Sequence, residues 1–263
     1  MEIGPFDTLR ITDDGAVRII EHNRPKAMNA IDAVMIDDLA EVFLRTAADD
    51  EVKVVVLTGA GKAFSAGADL KQMGGRAAGE PPRVQRHGFP AMLEAMIGFP
   101  KPLITAINGV AAGYGVTVAG LADLVFMAQT ARVRCPFTAL GLVPEMASSY
   151  TFPRLMGRQR ASWLLMSSEW FDADQCVEMG LAMSSHPDEE LMAVALGHAH
   201  TLASKPLASL VAAKELIVGP HRQAMSDAAL IENRYLDQMT GAPANREALA
   251  AFRDRREPDF TGM

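Results

Sequence analysis

The spacing of apolar residues along this 263-residue chain changes near residue 188. Before that point, apolar runs rich in β-branched residues at Val52 to Thr58 and Leu103 to Ile107 are typical of strands buried on both faces. Ala16 to Glu21 and Leu124 to Met127 add two further predicted strands. Helices are predicted between the strands, and this alternation indicates parallel pairing through crossover helices. The first part of the chain therefore predicts an α/β fold.

The predicted helices are recognised by apolar residues that recur every three to four positions. Asn29 or Asp32 can cap the first helix. Its apolar stripe consists of Ile31, Met35, Leu39 and Phe43. A helix of small residues is predicted over about 113–121. From Asp188 onward only helices are predicted, at about 189–203, 207–218, 222–240 and 245–256, with Gly219-Pro220 separating the second from the third.

The segment from Met73 to Pro90 interrupts this rhythm with several glycines and prolines. A long polar loop of this kind is either a mobile lid or an excursion without function, and the sequence leaves both open. Its arginines, Arg76, Arg83 and Arg86, either approach a phosphate group or are simply solvated.

Two glycine-bearing segments, Ser65 to Leu70 and Asn108 to Gly115, each follow an apolar run and precede a predicted helix. The first N–H groups of a helix have no intrahelical partners and lie at its positive end. Two such turns facing each other could hold one developing negative charge, as an oxyanion hole does when a carbonyl becomes an enolate. Either segment alone is better explained by an ordinary glycine-rich turn between a strand and a helix.

Composition and charge exclude several other classes of protein. The formal net charge of -7 argues against nucleic-acid binding, because such proteins are usually basic. Two cysteines are too few for a disulfide framework, no signal peptide is recognised, and no run approaches the roughly 18 apolar residues of a membrane span. The six histidines form no ligand pattern, so no metal is predicted. We expect a cytoplasmic protein that does not associate with membranes.

The same segments carry a family resemblance. Ala63-Phe64-Ser65-Ala66-Gly67-Ala68-Asp69-Leu70 and Ile107 to Gly115 resemble the two signature segments of the crotonase (enoyl-CoA hydratase/isomerase) superfamily, and Arg24 to Ala30 resembles its first coenzyme A-contacting segment. The resemblance runs from about Ile19 to Phe260. It implies a crotonase-like ββα spiral core with an acyl-CoA site over residues 1–187. It also implies a helical C-terminal region, 188–263, that builds a homotrimer or a hexamer.

The resemblance assigns roles to individual residues. It implies that the backbone N–H groups of Ala68 and Tyr114 form the oxyanion hole. Arg255 matches a basic position that can reach a phosphate, although a basic last helical turn that complements the helix dipole explains it equally well. The residues that it places along coenzyme A are Lys26, Ala27 and Met28 near the pantetheine and phosphates, and Ala66, Asp69 and Leu70 near the adenine.

The chain departs from the hydratases at both positions where they carry a catalytic glutamate. Thr117 and Phe137 stand there instead, and we expect both to line the acyl pocket. Adding water to a double bond needs one group to activate the water and one to deliver a proton, and neither side chain can act as a carboxylate base.

A different carboxyl group stands nearby. The segment from Leu140 to Pro153 resembles the peroxisomal-type Δ3,Δ2-enoyl-CoA isomerases, whose single catalytic glutamate matches Glu145. Glu145 follows Pro144 at a predicted helix start, where helix N–H groups could hold a carboxylate. Burial against Phe137, Leu142 and the acyl chain would raise the pKa of Glu145 toward neutrality.

The expected function is therefore the shift of a 3-enoyl-CoA double bond to the 2-position in fatty acid β-oxidation, through a one-glutamate proton shuttle. Coenzyme A is part of the acyl-CoA thioester substrate, and no separate cofactor is expected. Two alternatives stay open. One is an enoyl-CoA hydratase with displaced carboxylates, and the other is a catalytically silent acyl-CoA-binding protein.

Overall fold

The computed structural model describes residues 5–77 and 84–263, which form two sheets surrounded by helices. The strands are β1 (Leu9–Asp14), β2 (Val17–His22), β3 (Val54–Gly59), β4 (Ala63–Ser65), β5 (Leu103–Ile107), β6 (Val110–Ala112), β7 (Leu124–Ala128), β8 (Arg132–Arg134), β9 (Trp170–Asp172) and β10 (Ser184–His186). The helices are α1 (Ala33–Ala47), α2 (Leu70–Ala77), α3 (Gly88–Ile97), α4 (Tyr114–Thr117), α5 (Ser148–Met156), α6 (Arg158–Ser167), α7 (Ala173–Met179), α8 (Leu191–Ala203), α9 (Leu207–Met239) and α10 (Pro243–Asp254).

The larger sheet has the strand order β1-β2-β3-β5-β7-β10, in which only β1 and β2 pair antiparallel. Every residue of β3 and β5 is buried, which confirms the prediction of strands covered on both faces. The smaller sheet has the order β4-β6-β8-β9. Each of β3, β5 and β7 is thus followed by a short strand in the second sheet, and the predicted crotonase-like ββα core is confirmed.

The first helix shows how the sequence specifies local structure. Asp32 is its N-cap, and one carboxylate oxygen accepts hydrogen bonds from the backbone N–H groups of Val34 and Met35 at 3.1 and 3.0 Å. Asn29, the other candidate cap, is buried and donates instead to the carbonyl oxygens of Ala60 and Ala63. Asn29 therefore joins the segment before α1 to the loop between β3 and β4.

The prediction of one long loop over 73–90 is wrong at both ends. Helix α2 covers its beginning and α3 its end, whereas residues 78–83, including Arg83, lie outside the described residues. The start of α3 is fixed by Asp37, whose carboxylate accepts from the backbone N–H groups of Arg86, His87 and Gly88 at 2.8 to 2.9 Å. This contact spans about 50 residues of sequence, so local spacing does not reveal it.

The C-terminal region also differs from its prediction in one respect. Residues 207–218 and 222–240 belong to the single helix α9, which continues through Pro220. An interior proline removes one helical hydrogen bond and costs about 3 kcal/mol. Packing of both halves on the same core offsets this cost, because Lys214 is buried before the proline and Met225 after it. The Nζ of Lys214 donates to the Lys101 carbonyl oxygen and pairs with Asp123 at 2.9 and 2.7 Å.

The predicted division at residue 187/188 stays a prediction. Strand β10 ends at His186, and each later element is a helix. Within the described ranges, none of the helices combines the length and the apolar character needed to cross a bilayer.

Candidate active site

The two glycine-bearing segments lie against each other. Strand β4 pairs in parallel with β6, and beyond this pair a Cβ atom on Gly67 would lie 2.6 Å from the Ala112 carbonyl oxygen. Gly67 and Gly113 both have positive φ angles, 81° and 51°, which glycine adopts without a steric penalty. Ala68 and Tyr114 are the next residues in the chain after these glycines. The contact therefore brings together the two segments that carry the predicted oxyanion donors.

The backbone N–H groups of Ala68 and Tyr114 are both available as donors. Neither donates a hydrogen bond to another residue in the described part of the chain. Tyr114 is the first residue of α4, so its N–H has no intrahelical acceptor. The second segment is not a simple turn from strand to helix, because β6 intervenes and supplies the contact with β4. Convergence of the two N–H groups on one oxygen stays a prediction.

A buried histidine connects the two segments through hydrogen bonds of its ring. His22 lies at the end of β2, and its Nδ1 is 3.1 Å from the carbonyl oxygen of Phe64. A carbonyl only accepts, so Nδ1 carries the proton and Nε2 accepts from the Tyr114 hydroxyl at 3.2 Å. Burial lowers the pKa of His22 to about 4, against a smaller opposing effect of the Phe64 hydrogen bond. The neutral ring thus ties β4 to the residue that offers the second N–H.

Glu145 is a buried carboxyl group next to the second segment. One of its oxygens accepts a hydrogen bond from the Thr117 hydroxyl at 2.7 Å. The other oxygen, Oε2, is buried and has no hydrogen-bond partner among the described residues. Thr117 ends α4, the helix that Tyr114 begins, so Glu145 is joined to the element that offers the oxyanion donor. The carboxyl thus has one oxygen that is held and one that is free to exchange a proton.

Burial raises the pKa of Glu145 to about 8. Desolvation of the charged form is the largest cause. The Thr117 hydrogen bond lowers the pKa, and the like charge of Glu232 raises it. The upward shift of the Glu145 pKa is the one predicted from the sequence. A carboxyl with a pKa near the working pH can accept and return a proton with little cost in either direction.

The prediction that Glu145 sits at a helix start is wrong. Helix α5 begins three residues later, at Ser148, and Met146 and Ala147 intervene with left-handed φ angles of 61° and 57°. The N–H groups of Ala147 and Ser149 donate to Glu232 of α9 and not to Glu145. Sequence reasoning missed Glu232, because its partners lie more than 80 residues earlier and no local motif marks it.

The remaining predicted site residues are placed in two groups. Thr117 and Phe137 are buried, and only Thr117 has a described hydrogen bond to Glu145. Lys26 and Ala27 form a short 3-10 turn that ends at Met28, and the Met28 carbonyl oxygen accepts from the Ala66 N–H at 2.9 Å. That hydrogen bond joins the predicted coenzyme A-contacting segment to the first signature segment.

Asp69 and Leu70 are the last two residues of the first signature segment. Leu70 begins α2, and the Asp69 carboxylate pairs with Arg24 at 3.2 Å. Arg24 pairs with Asp32 as well, at 3.0 Å, and donates to the Ala30 carbonyl oxygen. The guanidinium of Arg24 therefore holds the starts of α1 and α2 together beside the predicted coenzyme A segment.

The Arg255 side chain has no hydrogen bond or ion pair with these residues in the described part of the chain. It is exposed at the C-terminal end of α10, where its φ of 56° ends the helix. Its neighbours Arg253 and Arg256 pair with Asp254 and Glu247. Contact of Arg255 with a phosphate stays a prediction.

Histidine, cysteine, aspartate and glutamate side chains do not gather into a group of three or more that could hold a metal ion anywhere in residues 5–77 and 84–263. The described site thus consists of two backbone donors, one buried carboxyl and the segments predicted to bind coenzyme A.

Comparison with known proteins gives consistent matches over nearly the whole chain. A family model for enoyl-CoA hydratase/isomerase matches residues 12–263. The chain is 34% identical over 245 residues to the 1,2-epoxyphenylacetyl-CoA isomerase of Escherichia coli (strain K12), which covers 91% of this chain and 93% of that protein. It is 31% identical over 249 residues to enoyl-CoA delta isomerase 2 of Homo sapiens, which covers 91% of this chain and 63% of that protein.

Comparison with solved structures gives matches to the same family. An enoyl-CoA hydratase/isomerase from Pseudoalteromonas atlantica superposes with a TM-score of 0.90 at 30% identity, covering 97% of this chain and 100% of that one. An enoyl-CoA hydratase from Mycobacterium marinum is 49% identical with a TM-score of 0.77, covering 81% of this chain and 100% of that one.

The hydrogen bond between Tyr114 and His22 can be tested by removing one oxygen atom. In Tyr114→Phe the buried Nε2 of His22 loses its donor, and we expect the free energy of unfolding to fall by about 1–2 kcal/mol. Urea unfolding followed by circular dichroism measures this change. Tyr235→Phe is the matched control, because Tyr235 is exposed on α9 and should unfold like the parent protein. Equal stability of both variants would contradict a connecting role for His22.

Proposed function

Because the chain belongs to the enoyl-CoA hydratase/isomerase family, we propose that it is a Δ3,Δ2-enoyl-CoA isomerase that uses Glu145 as its single acid and base. The observation that carries this proposal is the free, buried Oε2 of Glu145 on a carboxyl held by Thr117. The substrate class is an acyl-CoA thioester, and a role in fatty acid β-oxidation is part of the proposal. The cytoplasmic location stays a prediction.

The proposed reaction moves one proton between two carbons. The Glu145 carboxylate takes a proton from C2 of a 3-enoyl thioester, and the C–H electron pair forms a C1–C2 double bond as negative charge moves to the thioester oxygen. The resulting dienolate then takes the proton from the Glu145 carboxyl at C4. The carbonyl re-forms, and the double bond lies between C2 and C3. Proton and charge balance without a cofactor.

The dienolate oxygen needs donors that are in place before the charge develops. The N–H groups of Ala68 and Tyr114 can supply them, because neither is bonded to another described residue. Loss of one such donor costs about 3–4 kcal/mol of transition-state stabilisation in other enzymes. The contact between Gly67 and Gly113 supports this role, since it brings the two segments together before substrate binds.

The arrangement favours an isomerase over a hydratase. Hydration needs a second acid or base, and the two positions that would supply it hold a threonine and a phenylalanine. The Thr117 hydroxyl already donates to Glu145 and does not replace a carboxylate. Relatives with hydratase and isomerase names both match this chain, so the preference rests on these side chains.

We also propose that the protein assembles as a homotrimer or a hexamer through its C-terminal helices. Large apolar side chains are exposed on α9 and α10, with 80% of Leu216 and 71% of Ile217 accessible. Leu230 and Phe252 are also exposed. Exposed apolar side chains in this number on two helices support a protein–protein interface there.

The decisive test of the reaction is Glu145→Gln. Glutamine keeps the size and much of the polarity of the side chain but cannot accept the C2 proton. We expect kcat for 3-enoyl-CoA to fall about 100- to 10,000-fold, with acyl-CoA affinity nearly unchanged. Stopped-flow or coupled assays of 3-enoyl-CoA turnover measure kcat, and titration with a saturated acyl-CoA measures affinity.

The control for this variant is Glu169→Gln, since Glu169 is exposed on the segment after α6 and should leave turnover intact. Water addition to 2-enoyl-CoA by the parent protein would instead indicate a hydratase. Binding of acyl-CoA without either reaction would indicate a silent binding protein. Near-normal turnover in Glu145→Gln would show that another group is the base.

The pH dependence gives a second prediction. The base must be ionised, so kcat/KM should rise with pH up to about 8, the pKa of Glu145. The Thr117 hydrogen bond lowers this pKa, so Thr117→Val should move the acidic limb of the profile to higher pH. Thr201→Val, at an exposed position of α8, should leave the limb in place. An unchanged limb in Thr117→Val would contradict the assignment of the limb to Glu145.

The assembly is tested by light scattering. We expect the parent protein to have the mass of three or six chains at micromolar concentration. Ile217→Glu places a charge on the exposed apolar face of α9 and should shift the mass toward one chain. A parent protein that is a stable monomer under these conditions would contradict the proposed assembly.

A further inference from the structure

The long helix α9 carries a second buried carboxylate, which accepts hydrogen bonds from the turn after Glu145. Glu232 of α9 is 5% exposed. One of its oxygens accepts from the Ala147 N–H at 2.7 Å, and the other accepts from the Ser149 N–H at 2.9 Å and from the Ser149 hydroxyl. The carboxylate therefore occupies the positive N-terminus of α5, where a negative charge is stabilised.

Glu232 holds a backbone conformation that residues with a side chain rarely adopt. Met146 and Ala147 have consecutive positive φ angles, and both are fully buried. L-residues with a side chain adopt this region rarely, and it persists where surrounding contacts enforce it. Glu145 is the residue immediately before this pair. The direction of its side chain therefore depends on the turn that Glu232 fixes from the other side.

We propose that Glu232 is a positioning residue for Glu145: by binding the N–H groups of Ala147 and Ser149, it fixes the turn that aims the free Glu145 oxygen at the substrate. This inference rests on the proposed function of Glu145. It assigns to the C-terminal helix a part in catalysis as well as in packing. Both oxygens of Glu232 accept hydrogen bonds from the turn, and these bonds favour its ionised form.

Glu232 also acts on Glu145 through its charge. Three titratable groups in the described part of the chain interact electrostatically with Glu145: Tyr114 from α4, Cys135 from the segment after β8, and Glu232 from α9. Burial raises the pKa of both Tyr114 and Cys135 above their usual ranges, so both stay neutral near pH 8. Burial raises the pKa of Glu232, and the hydrogen bonds from Ser149 and Ala147 oppose that shift. In its ionised form, Glu232 disfavours ionisation of Glu145.

The test is Glu232→Gln in the full-length protein. The amide keeps the shape of the side chain but has one accepting oxygen, so one N–H of the turn loses its acceptor. We expect kcat for 3-enoyl-CoA to fall about 10- to 100-fold with KM nearly unchanged, because the coenzyme A segments are untouched. Loss of the charge should also move the acidic limb of the kcat/KM profile to lower pH, which a purely structural defect would not do.

Two companion variants complete the design. Ser149→Ala removes one donor to Glu232 at an exposed position and leaves the charge in place, so kcat should fall several-fold while the limb does not move to lower pH. Asp237→Asn removes one carboxylate charge from the exposed face of α9 and should change neither quantity. Thermal unfolding of each variant shows whether it is folded at the assay temperature.

The possible outcomes separate this inference from the proposed function. If Glu232→Gln has the kcat of the parent protein and an unmoved acidic limb of the kcat/KM profile, the inference is overturned. The proposed function would still stand in that case, provided that Glu145→Gln loses turnover. Retained turnover in Glu145→Gln would overturn the proposed function itself. If Glu232→Gln does not fold, Glu232→Asp decides, because the shorter side chain keeps the charge but draws the carboxylate away from the two N–H groups. Parent-like kcat in that variant would show that the turn needs no such support.

Discussion

The burial of the Glu145 carboxyl is the constraint on which the rest of the site depends. A carboxyl removed from water either stays protonated or needs donors for its charged form, and this structure supplies one donor, the Thr117 hydroxyl. One hydrogen bond does not fully compensate for burial, which leaves the pKa near 8 and the second oxygen without a partner. Full compensation would produce a stable carboxylate with little tendency to take a proton from carbon. The incomplete compensation is thus what suits Glu145 to proton transfer.

Helix α9 supports this site from outside the sheets. Its buried positions fall on one face, and two of them are charged: Lys214 binds Asp123 and the Lys101 carbonyl oxygen, and Glu232 binds the start of α5. Both halves of the helix are therefore fixed to the core by polar contacts that need defined geometry, whereas apolar packing alone would tolerate sliding. This fixation also explains how α9 remains continuous through Pro220.

The elements that the sequence predicts well are those whose signal is local. The apolar runs of β3 and β5 and the Asp32 cap of α1 depend on neighbours within a few residues, and all are found where they were expected. The start of α3 and the turn after Glu145 depend on Asp37 and Glu232, which act across 49 to 85 residues of sequence. Residue identity alone does not pair such groups. Only the family resemblance identifies Glu145, because a lone glutamate after a proline carries no specific signal.

Thr117 and Glu232 affect the Glu145 carboxyl in different ways. Two free carboxylates near one substrate carbon would share a proton and titrate as a pair. Thr117 carries no charge and donates one hydrogen bond to Glu145. Glu232 keeps a second carboxylate in the region, but both its oxygens are occupied by donors from the turn. It influences Glu145 through its charge and through the backbone, and Glu145 keeps the unpaired oxygen that lets one carboxyl serve as both base and acid.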